Sequence, residues 1–358
     1  MQIALHQSFS PPVCWDDLVS SCPWGTFFHS SQNAALVNAL TPASVSWFVA
    51  SSEGAPAGGI AFGVQDGPLG PVVNCLPYFG SYGDALLSPG VAPETENALY
   101  DALLDHCRAI GALSLTVITS PFSDTTHHDR VQAMIVPDFL EERLCQATPL
   151  PTPQEASREA YGRVLFNRYE GRARTSCRRA VNEGLTVRAA VSRLEIEALA
   201  ALHRGNIGGK GGVYKTEAFF DLVWQAGQDR PNSARVLLAM RQGSLAGGAV
   251  FFRFAGIAEY HTTGMDMDCR SLGPLNLVIH EAMIDAGLSG CAWMNFGGTW
   301  KSQDGVYKFK RSFGAVDLPY VYCTRIFRDL DILRSMSPPQ LVKAYPLAFV
   351  LPFSECAA

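Results

Sequence analysis

Lysine is absent from the first 157 residues of this 358-residue chain, which hold three arginines against 15 acidic residues. The net charge of this part is −12, whereas residues 158–358 hold 25 basic and 18 acidic residues, for a net charge of +7. So uneven a distribution predicts that the two halves face different partners and that an anionic partner binds the second half. Nine arginines fall between Arg158 and Arg193, and a solvated helix face is the alternative explanation for them.

Long apolar runs and paired cysteines are also missing. No stretch approaches the roughly 20 apolar residues of a membrane-spanning helix, and the first residues show no pattern of a secretion signal. The ten cysteines are scattered without a CxxC pair or metal-like spacing, so we expect reduced thiols rather than disulfides. Hydrophobic residues make up 47% of the chain and charged residues 17%, which indicates a soluble, cytoplasmic protein of two packed domains.

One glycine-rich stretch, KGGVYKT at residues 210–216, differs by one residue from the nucleotide-binding P-loop variant KGGVGKT. A P-loop follows a buried strand, but the residues before this stretch, SRLEIEALAALHRGN, have their apolar side chains at helical spacing. Tyr214 also occupies a glycine position, where a side chain would crowd a bound phosphate. We therefore expect a mobile loop that gates a substrate, with Tyr214 in contact with that substrate, rather than an ATP site.

Apolar periodicity predicts the same order of elements in both halves. The second half has predicted strands at 234–242, 245–254, 256–265 and 291–296, with a helix from Pro274 to a stop at Gly287 before the last strand. The first half has predicted strands at 45–52, 57–65, 72–76 and 113–119, with a helix at 94–110 before the last strand. A glycine-containing loop precedes the helix in each half. The sequence therefore predicts an α/β (α+β) fold of two similar domains.

Four motifs follow one another along the second half. They are Glu259-Tyr260 in a strand, Pro274 to Asn276 at a helix start, Asn295-Phe296-Gly297-Gly298 at a strand end, and Gly305 through Phe309-Lys310 to Phe313-Gly314. Together they resemble the Fem-like branch of the GNAT acyltransferase superfamily, whose members make peptidoglycan cross-bridges and whose relatives carry out other acyl transfers. The resemblance covers about residues 160–325. Before residue 150 it rests on the stretches GTFFHSSQNAAL and LPYFGSYGD.

The resemblance implies two fused GNAT-like domains, each a mixed twisted sheet flanked by helices, with a cleft between them. We expect an acceptor-side domain at 1–157, a donor-side domain at 158–330, and a tail at 331–358 that docks on the first domain or on a second subunit of a homodimer. Amide formation needs an amine that loses a proton and an oxyanion that is stabilised. The resemblance assigns to Lys310 either that oxyanion or a substrate phosphate.

The other residues expected at the site lie around the same motifs. Tyr260 matches a family motif, and His261 would act as a base if its ring points into the cleft, so we expect both to be catalytic together with Lys310. Lys308 and Arg311 could hold phosphates nearby, although a lysine in YKFKRSF could also alternate outward from a strand. The remaining residues expected to bind substrate are Glu259, Arg270, Gly273, Asn276, Asn295, Gly297, Gly298, Tyr307, Tyr82 and Tyr214.

The residues around Gly273 bear on the acyl donor. The stretch from Arg270 to Gly273 invites comparison with the pyrophosphate loop of acyl-CoA-binding GNAT proteins, in which backbone N–H groups at a helix start hold phosphates. Here Leu275 replaces a small residue and Pro274 removes one donor. We therefore expect aminoacyl-tRNA as the donor, held in part by the arginines that follow residue 158, with acyl-CoA or another acyl thioester as the alternative.

The acceptor is expected to be a small amine. Asn295 stands where the family has an aspartate, and the first half lacks lysines that could grip a diphosphate-linked cell-wall precursor. An acidic acceptor domain suits an amino acid, a small peptide or a natural-product intermediate. The alternative to an enzyme is a non-catalytic Fem-like scaffold in a biosynthetic complex. We expect no metal and no other cofactor, because the adjacent His127, His128 and Asp129 rarely point at one ion.

Overall fold

The computed structural model of the chain describes residues 2–6, 10–52, 54–76, 82–153, 157–209, 212–229, 233–300 and 302–356. The chain divides into two compact units: the first comprises Met1–Leu144 and Leu318–Ala358, and the second comprises Cys145–Asp317. The division therefore lies before the expected boundary at residue 157, and residues 318–330 belong to the first unit instead of the second. The reason is that a long strand leads back from the second unit and pairs within the first.

The first unit begins with helices and strands in alternation. Its elements up to residue 149 are β1 (Gln2–His6), α1 (Trp15–Ser21), a 3₁₀ turn (Phe27–His29), α2 (Ser31–Leu40), β2 (Ser44–Ser52), β3 (Ala55–Gln65), β4 (Val72–Asn74), β5 (Leu86–Leu87), α3 (Glu94–Ala109), β6 (Ser114–Ile118), α4 (Thr125–Ile135) and β7 (Phe139–Pro149), whose end continues into the second unit.

The second unit follows with further helices and strands before the chain returns. They include α5 (Arg158–Arg168), α6 (Gly171–Asn182), β8 (Leu185–Ala189), α7 (Arg193–Gly208), α8 (Glu217–Asp229), β9 (Ala234–Arg241), β10 (Ser244–Phe254), β11 (Ile257–Met265), a 3₁₀ turn (Met267–Leu272), α9 (Pro274–Leu288), β12 (Trp293–Thr299) and α10 (Asp304–Arg311). The strand β13 (Val316–Ile326) then leads back into the first unit, which closes with α11 (Leu330–Arg334), α12 (Pro338–Ala344) and a 3₁₀ turn (Phe353–Glu355).

The sheet of the first unit has the order β1-β2-β3-β4-β6-β13, with the short β5 paired to β3. Neighbouring strands are antiparallel except β4 and β6, which are parallel. The apolar side of α3 packs on this sheet, and Leu99, Leu103 and Cys107 of the helix are buried there. A second apolar cluster joins α11 and α12 to the same unit through Leu333, Leu341 and other buried residues.

The sheet of the second unit has the order β7-β12-β11-β10-β9-β8. The pair β11–β12 is parallel, whereas β8–β9, β9–β10 and β10–β11 are antiparallel. Consecutive strand residues point to opposite faces, and Phe251 belongs to the core under α9 while Phe252 contacts Phe219 of α8. The helices α8 and α9 therefore cover opposite faces of this mixed sheet.

The predicted strands and helices of both halves are confirmed, with ends that differ by a few residues. One detail of α9 differs from the prediction. The helix begins at Pro274, but it ends at Leu288 rather than at Gly287. A Cβ atom at Gly287 would lie 1.9 Å from the hydroxyl oxygen of Tyr161, so this glycine is needed for close packing of α5 on α9 and not as a stop.

The glycine loop that resembles a P-loop follows α7, and the predicted helix before it is confirmed. Residues 210 and 211 of that loop and residues 77–81 of the stretch LPYFGSYGD lie outside the described residues. Every helix among the described residues is too short or too polar to cross a membrane. All ten cysteines are free thiols.

Candidate functional site

The motifs of the second unit meet where the pairing of β11 with β12 ends. Glu259 opposite Asn295 is the last pair of the parallel register, although both strands continue beyond it. The next residues, Tyr260 and Phe296, place their rings edge to face with 5.7 Å between centroids. Gly297 then adopts a left-handed conformation with φ of +70°, and its N–H donates to Asn295 Oδ1 at 2.8 Å. A gap therefore opens between the two strands beyond Glu259 and Asn295.

Glu259 is the residue of β11 at the closed end of this gap. Glu259 is 2% exposed. Burial raises the pKa of its carboxyl group to about 8, although the hydrogen bond with the Asn295 carboxamide acts to lower this pKa. Among the described residues, Glu259 Oε1 has no hydrogen-bond partner. Asn295 is held by a bond from Cys145 Sγ to its Oδ1, in addition to the bond from Gly297. A buried carboxyl group with an open acceptor atom and a pKa near 8 can take up a proton from a substrate.

A β-bulge in β11 changes the direction of the side chains next to the gap. Tyr260 and Thr262 lie opposite consecutive residues of β10, so His261 is the extra residue of the bulge. The His261 ring stacks on Phe219 with 5.4 Å between centroids. Burial, and after it the charge of Lys215, lowers the pKa of His261 well below its usual range, whereas burial raises the pKa of Tyr260. Near neutral pH both side chains are therefore uncharged.

Lys310 lies on α10, so the alternative in which this segment is a strand is wrong. The residue is 6% exposed, and its Nζ donates to Gly297 O at 2.9 Å, to Gly298 O at 2.8 Å and to Thr299 Oγ1 at 2.8 Å. These three bonds use all three donors of an ammonium group. Burial lowers the pKa of Lys310 to about 8. Lys310 therefore braces the glycine pair of β12 and places a buried positive charge beside it.

The other polar residues of α10 face outward. Lys308 is exposed and pairs with Asp304 of the same helix at 2.8 Å, as the alternative of an outward-facing lysine predicted. The Tyr307 hydroxyl donates to Asp317 Oδ2 at 2.8 Å, and Arg311 is exposed in the last turn. These three residues lie on the helix that carries Lys310, but outside the gap.

The loop before α9 leads into a helix start, as an anion-binding turn does, but two of its backbone N–H groups are already engaged. Gly273 has a φ of +78°, and a Cβ atom there would lie 3.0 Å from Ser176 O of α6, so glycine is required. The N–H of Gly273 donates to Arg270 O, and the N–H of Asn276 donates to Gly273 O. The side chain of Arg270 is exposed. Two backbone donors that a pyrophosphate would need are thus engaged within the loop.

The two tyrosines predicted outside the motifs lie in different surroundings. Tyr82, in the first unit, is 1% exposed and packs edge to face between Phe28 and Tyr320. It is therefore part of an aromatic core and presents no open surface to a substrate. Tyr214, in the second unit, is 40% exposed and lines a pocket of ≈ 340 Å³ between the end of α7 and the start of α8.

Sequence reasoning missed Lys215 and His203, which lie beside this pocket. The main-chain N–H of Lys215 donates to His203 Nε2 at 3.1 Å, and His203 Nδ1 donates to Thr263 O at 2.7 Å. This pair of bonds requires His203 to be neutral with its proton on Nδ1, and burial correspondingly lowers the pKa of His203. The one signal in the sequence was a lysine directly after Tyr214 in a glycine-rich loop.

In the first unit, His127, one of the two histidines considered as metal ligands, belongs to a network of hydrogen bonds and ion pairs. His127 Nε2 lies 2.7 Å from Asp84 Oδ2 and its Nδ1 lies 3.1 Å from Glu96 Oε1, while His29 Nε2 lies 2.9 Å from Asp84 Oδ1. Arg130 Nε completes the network on Glu96 Oε2 at 3.0 Å. Among the described residues no group of three or more histidines, cysteines and carboxylates has the arrangement of a metal site.

Comparisons with known proteins agree with this fold. Residues 168–311 match the family model described as an acetyltransferase (GNAT) domain. The structure is similar to a solved structure of FemX, with a TM-score of 0.71, 15% sequence identity, and coverage of 91% of this chain and 98% of that one. It is also similar to a tandem GNAT protein from the clavulanic acid biosynthesis pathway, with a TM-score of 0.52, 14% identity and coverage of 92% and 100%.

A third similar structure is an acetyltransferase of the GNAT family from Colwellia psychrerythraea, with a TM-score of 0.51, 11% identity, and coverage of 91% of this chain and 100% of that one. No curated protein has a sequence that matches this chain. At such low identities the likeness to solved structures shows the fold. The chain therefore has a fold similar to that of FemX and, over residues 168–311, a match to a GNAT domain, in agreement with the fold that the motifs around Glu259, Asn295 and Lys310 predicted.

Proposed function

We propose that the protein is an N-acyltransferase that moves an aminoacyl group from aminoacyl-tRNA to the amine of a small acceptor. The GNAT domain and the similar structures support acyl transfer as the general activity. One observation supports this site for it: the gap between β11 and β12 has Glu259 at its closed end and the Lys310-braced glycine pair along its side.

Acyl transfer to an amine requires a group that takes a proton from the amine and returns it to the leaving group, and Glu259 can do both. The amine nitrogen attacks the ester carbonyl, and its proton passes to the carboxylate of Glu259. A new N–C bond forms as the C–O bond to the tRNA ribose breaks, and the ribose hydroxyl leaves with the proton that Glu259 returns. A group with a pKa of about 8 is suited to both transfers near neutral pH.

In this proposal, Lys310 stabilises the negative charge that develops on the carbonyl oxygen. An ammonium group in a buried site stabilises an oxyanion more than it would in water. Because all three donors of Lys310 are engaged in the structure, the oxyanion has to replace one of the acceptors. Thr299 is the replaceable one, since its hydroxyl also bonds Gln146 Oε1 at 2.9 Å and keeps that partner.

The choice of tRNA as donor is supported by a basic surface on the second unit. The helix α6 contains four arginines and no acidic residue. It begins beside the end of α10, because the N–H of Glu170 donates to Ser312 O at 2.9 Å. Arg172 and Arg178 of α6 and Arg311 of α10 are exposed. A phosphate backbone binds such a surface through the charges alone, and with a steep salt dependence.

The test is a titration of the purified protein with bulk tRNA and with CoA at low and moderate salt. We expect tRNA to bind, and the double variant R172Q/R178Q to weaken it and to reduce the slope of log K against log salt by about 1 for each arginine that contacts a phosphate. The matched control is R334Q, a change of an arginine in the first unit that pairs with Glu355.

Other outcomes point elsewhere. Binding of CoA without tRNA would show that the loop at Gly273 still holds a pyrophosphate, and the donor would then be an acyl thioester. Binding of neither would leave a non-catalytic scaffold as the better explanation. With the donor established, single charged tRNAs and a panel of amines identify the transferred group and the acceptor.

A further inference from the structure

A chain of hydrogen bonds leads from Lys310 through the buried side chain of Gln146 to the surface of the second unit. Lys310 Nζ donates to Thr299 Oγ1 at 2.8 Å, and Thr299 Oγ1 donates to Gln146 Oε1 at 2.9 Å. Gln146 Nε2 donates in turn to Tyr307 O and to Asp317 Oδ1, each at 3.4 Å. Gln146 is 0% exposed and Thr299 is 8% exposed, so water has little access to the middle of this chain of bonds.

The direction of each of these bonds is fixed by the two ends of the chain. The ammonium group of Lys310 only donates, whereas the carboxylate of Asp317 and the carbonyl oxygen of Tyr307 only accept. Gln146 therefore has its NH₂ group toward Asp317 and its carbonyl oxygen toward Thr299. Because a carbonyl oxygen cannot donate, the single hydroxyl proton of Thr299 points to Gln146, and a lone pair of the hydroxyl group points to Lys310.

This orientation of the Thr299 hydroxyl group favours the charged form of Lys310. An ammonium group has three N–H bonds, and Gly297 O, Gly298 O and Thr299 Oγ1 accept them. A neutral amine has two N–H bonds and a lone pair, which would face the lone pair of Thr299. The hydroxyl group could donate to a neutral Lys310 only by giving up its bond to Gln146. Hydrogen bonds that fit only the charged form of a group stabilise that form.

The titratable groups on the elements around Lys310 act on it in other ways. Burial lowers the pKa of Lys310 to about 8, and the thiol group of Cys145 on β7 acts in the opposite direction. The strand β12 contains no titratable residue. Lys308 and Arg311 of α10 and Asp317 of β13 are exposed, so solvent screens their charges. The bond between the hydroxyl group and the amide is thus a contribution that one substitution can remove without changing any charge.

We infer that Gln146 keeps Lys310 in its protonated form by holding the Thr299 hydroxyl group in this orientation, and that Gln146 is therefore a positioning residue of the proposed transfer. This inference rests on the proposed function and deepens it, because stabilisation of the oxyanion needs the ammonium form of Lys310. When the oxyanion takes the place of Thr299 as an acceptor, the hydroxyl group keeps its bond to Gln146 and does not follow Lys310.

The experiment titrates Lys310 by NMR, without donor or acceptor. The chain has six lysines, so selectively labelled lysine gives few signals, and the signal that K310R removes is that of Lys310. We expect this signal to titrate at a pH of about 8 in the wild type. Q146M keeps the approximate size of the side chain and removes its amide. It should lower the midpoint by about 0.5–1 pH unit, as the loss of one hydrogen bond predicts. The control Q65M, at a buried glutamine of β3, should titrate as wild type.

A double-mutant cycle shows whether Gln146 acts through the hydroxyl group of Thr299. T299V removes that group and should also lower the midpoint, whereas T299S keeps it and should titrate as wild type. Adding Q146M to T299V should cause no further change. The inference is overturned if Q146M leaves the midpoint unchanged, or if the effects of Q146M and T299V add. Q146N withdraws the amide by one methylene group and tests the same bond if Q146M does not fold.

The pH profile of transfer connects this result to the reaction. In Q146M the fall of kcat/KM at high pH should begin at a lower pH, by the shift measured for Lys310, while the rise due to Glu259 stays in place. A shift of Lys310 without this change in the profile would overturn the role of Gln146 in transfer. Absence of transfer with every donor would refute the proposed function, whereas the titration of Lys310, made without substrate, would stand.

Discussion

The carboxyl group of Glu259 and the ammonium group of Lys310 have similar pKa values for the same reason. Burial raises the first to about 8 and lowers the second to about 8. Transfer needs Glu259 without its proton and Lys310 with its proton. We therefore expect kcat/KM to rise toward pH 8 as Glu259 ionises, and to fall above pH 8 as Lys310 is neutralised.

The variant E259Q isolates the rising part of this pH profile. It should lower kcat/KM by about 10²- to 10⁴-fold and abolish the increase between pH 6 and 8, since an amide cannot accept the proton. The control E355Q changes a carboxylate of the first unit that pairs with Arg334 and should follow the wild-type profile. If E259Q keeps the wild-type rise, another group removes the proton from the amine.

Asn295 shows why a neutral residue next to Glu259 matters. The resemblance places an aspartate at this position, and a second buried carboxyl group there would disfavour ionisation of both. The amide instead accepts bonds from Cys145 and Gly297 and leaves one titrating carboxyl group in the gap. The substitution therefore changes the pKa of the site without removing the carboxylate that the proposal needs.

At the scale of elements, Asp84 joins parts of the first unit that are distant along the chain. It accepts bonds from His29 in the first 3₁₀ turn, from His127 in α4 and from the N–H of Ser120 after β6. Replacing it in D84N leaves His127 without one of its two carboxylate partners in a buried site. We expect the free energy of unfolding to fall by about 3–5 kcal/mol, as measured by urea denaturation.

The pH dependence of this loss follows from the direction of each pKa shift. Burial opposes the ionised forms of both Asp84 and His127. The hydrogen bonds from His127 and His29 nevertheless hold the pKa of Asp84 well below its usual range. The contacts of His127 with Asp84 and Glu96 raise the pKa of His127 to about 9. The contribution of Asp84 is lost as pH falls through its lowered pKa. The contribution of His127 to stability is complete below about pH 6.5 and is lost as pH rises through about 9.

The difference between wild type and D84N should therefore be larger at pH 6 than at pH 9. The control is D105N, which removes the carboxylate of an exposed pair with Arg108 on α3 and should change stability by about 0.5 kcal/mol or less. An equal loss for D84N at both pH values would show that packing, rather than the charge pair with His127, makes Asp84 important.

At the scale of the whole molecule, the C-terminal segment completes the first unit. The Tyr345 hydroxyl accepts a bond from the N–H of Leu69 and donates to Gly70 O, and Asn74 of β4 exchanges two bonds with the backbone of Phe349. Tyr345 is fully buried, in an apolar cluster that also contains Leu333 of α11. The last residues therefore contribute to the folding of the unit that contains the first.

Truncating Tyr345 should show how much this segment stabilises the first unit. Y345A removes a buried ring and two hydrogen bonds, and we expect a loss of about 3–5 kcal/mol in the free energy of unfolding. V342A, an exposed residue of α12, should change it by about 0.5 kcal/mol or less. A loss in Y345A no larger than that of V342A would mean that the segment is not coupled to the unit.

Local pattern was sufficient for most of the second unit. Alternation of apolar residues predicted β9, β10 and β11, and the proline at position 274 marked the start of α9. These features depend on neighbours within a few residues, so they can be read from the sequence. The same reasoning treated the segment of Lys308 and Lys310 as a possible strand, in which the two lysines would share one face. In α10 they lie on nearly opposite sides of the helix, so that Lys308 is exposed and Lys310 is buried.

Sequence by itself determined the main strands and one central helix of each half, the uneven charge of the two halves and the motifs that resemble Fem-like GNAT proteins. Tertiary structure decided where the parallel pairing of β11 and β12 ends, that Lys310 is buried on the glycine pair and that Lys215 lies in a pocket beside β11. It also decided that β13, from Leu318 onward, belongs to the first unit. The physical reason is that burial and pairing between distant residues depend on chain topology, and it is burial that shifts the pKa values on which the proposed chemistry depends.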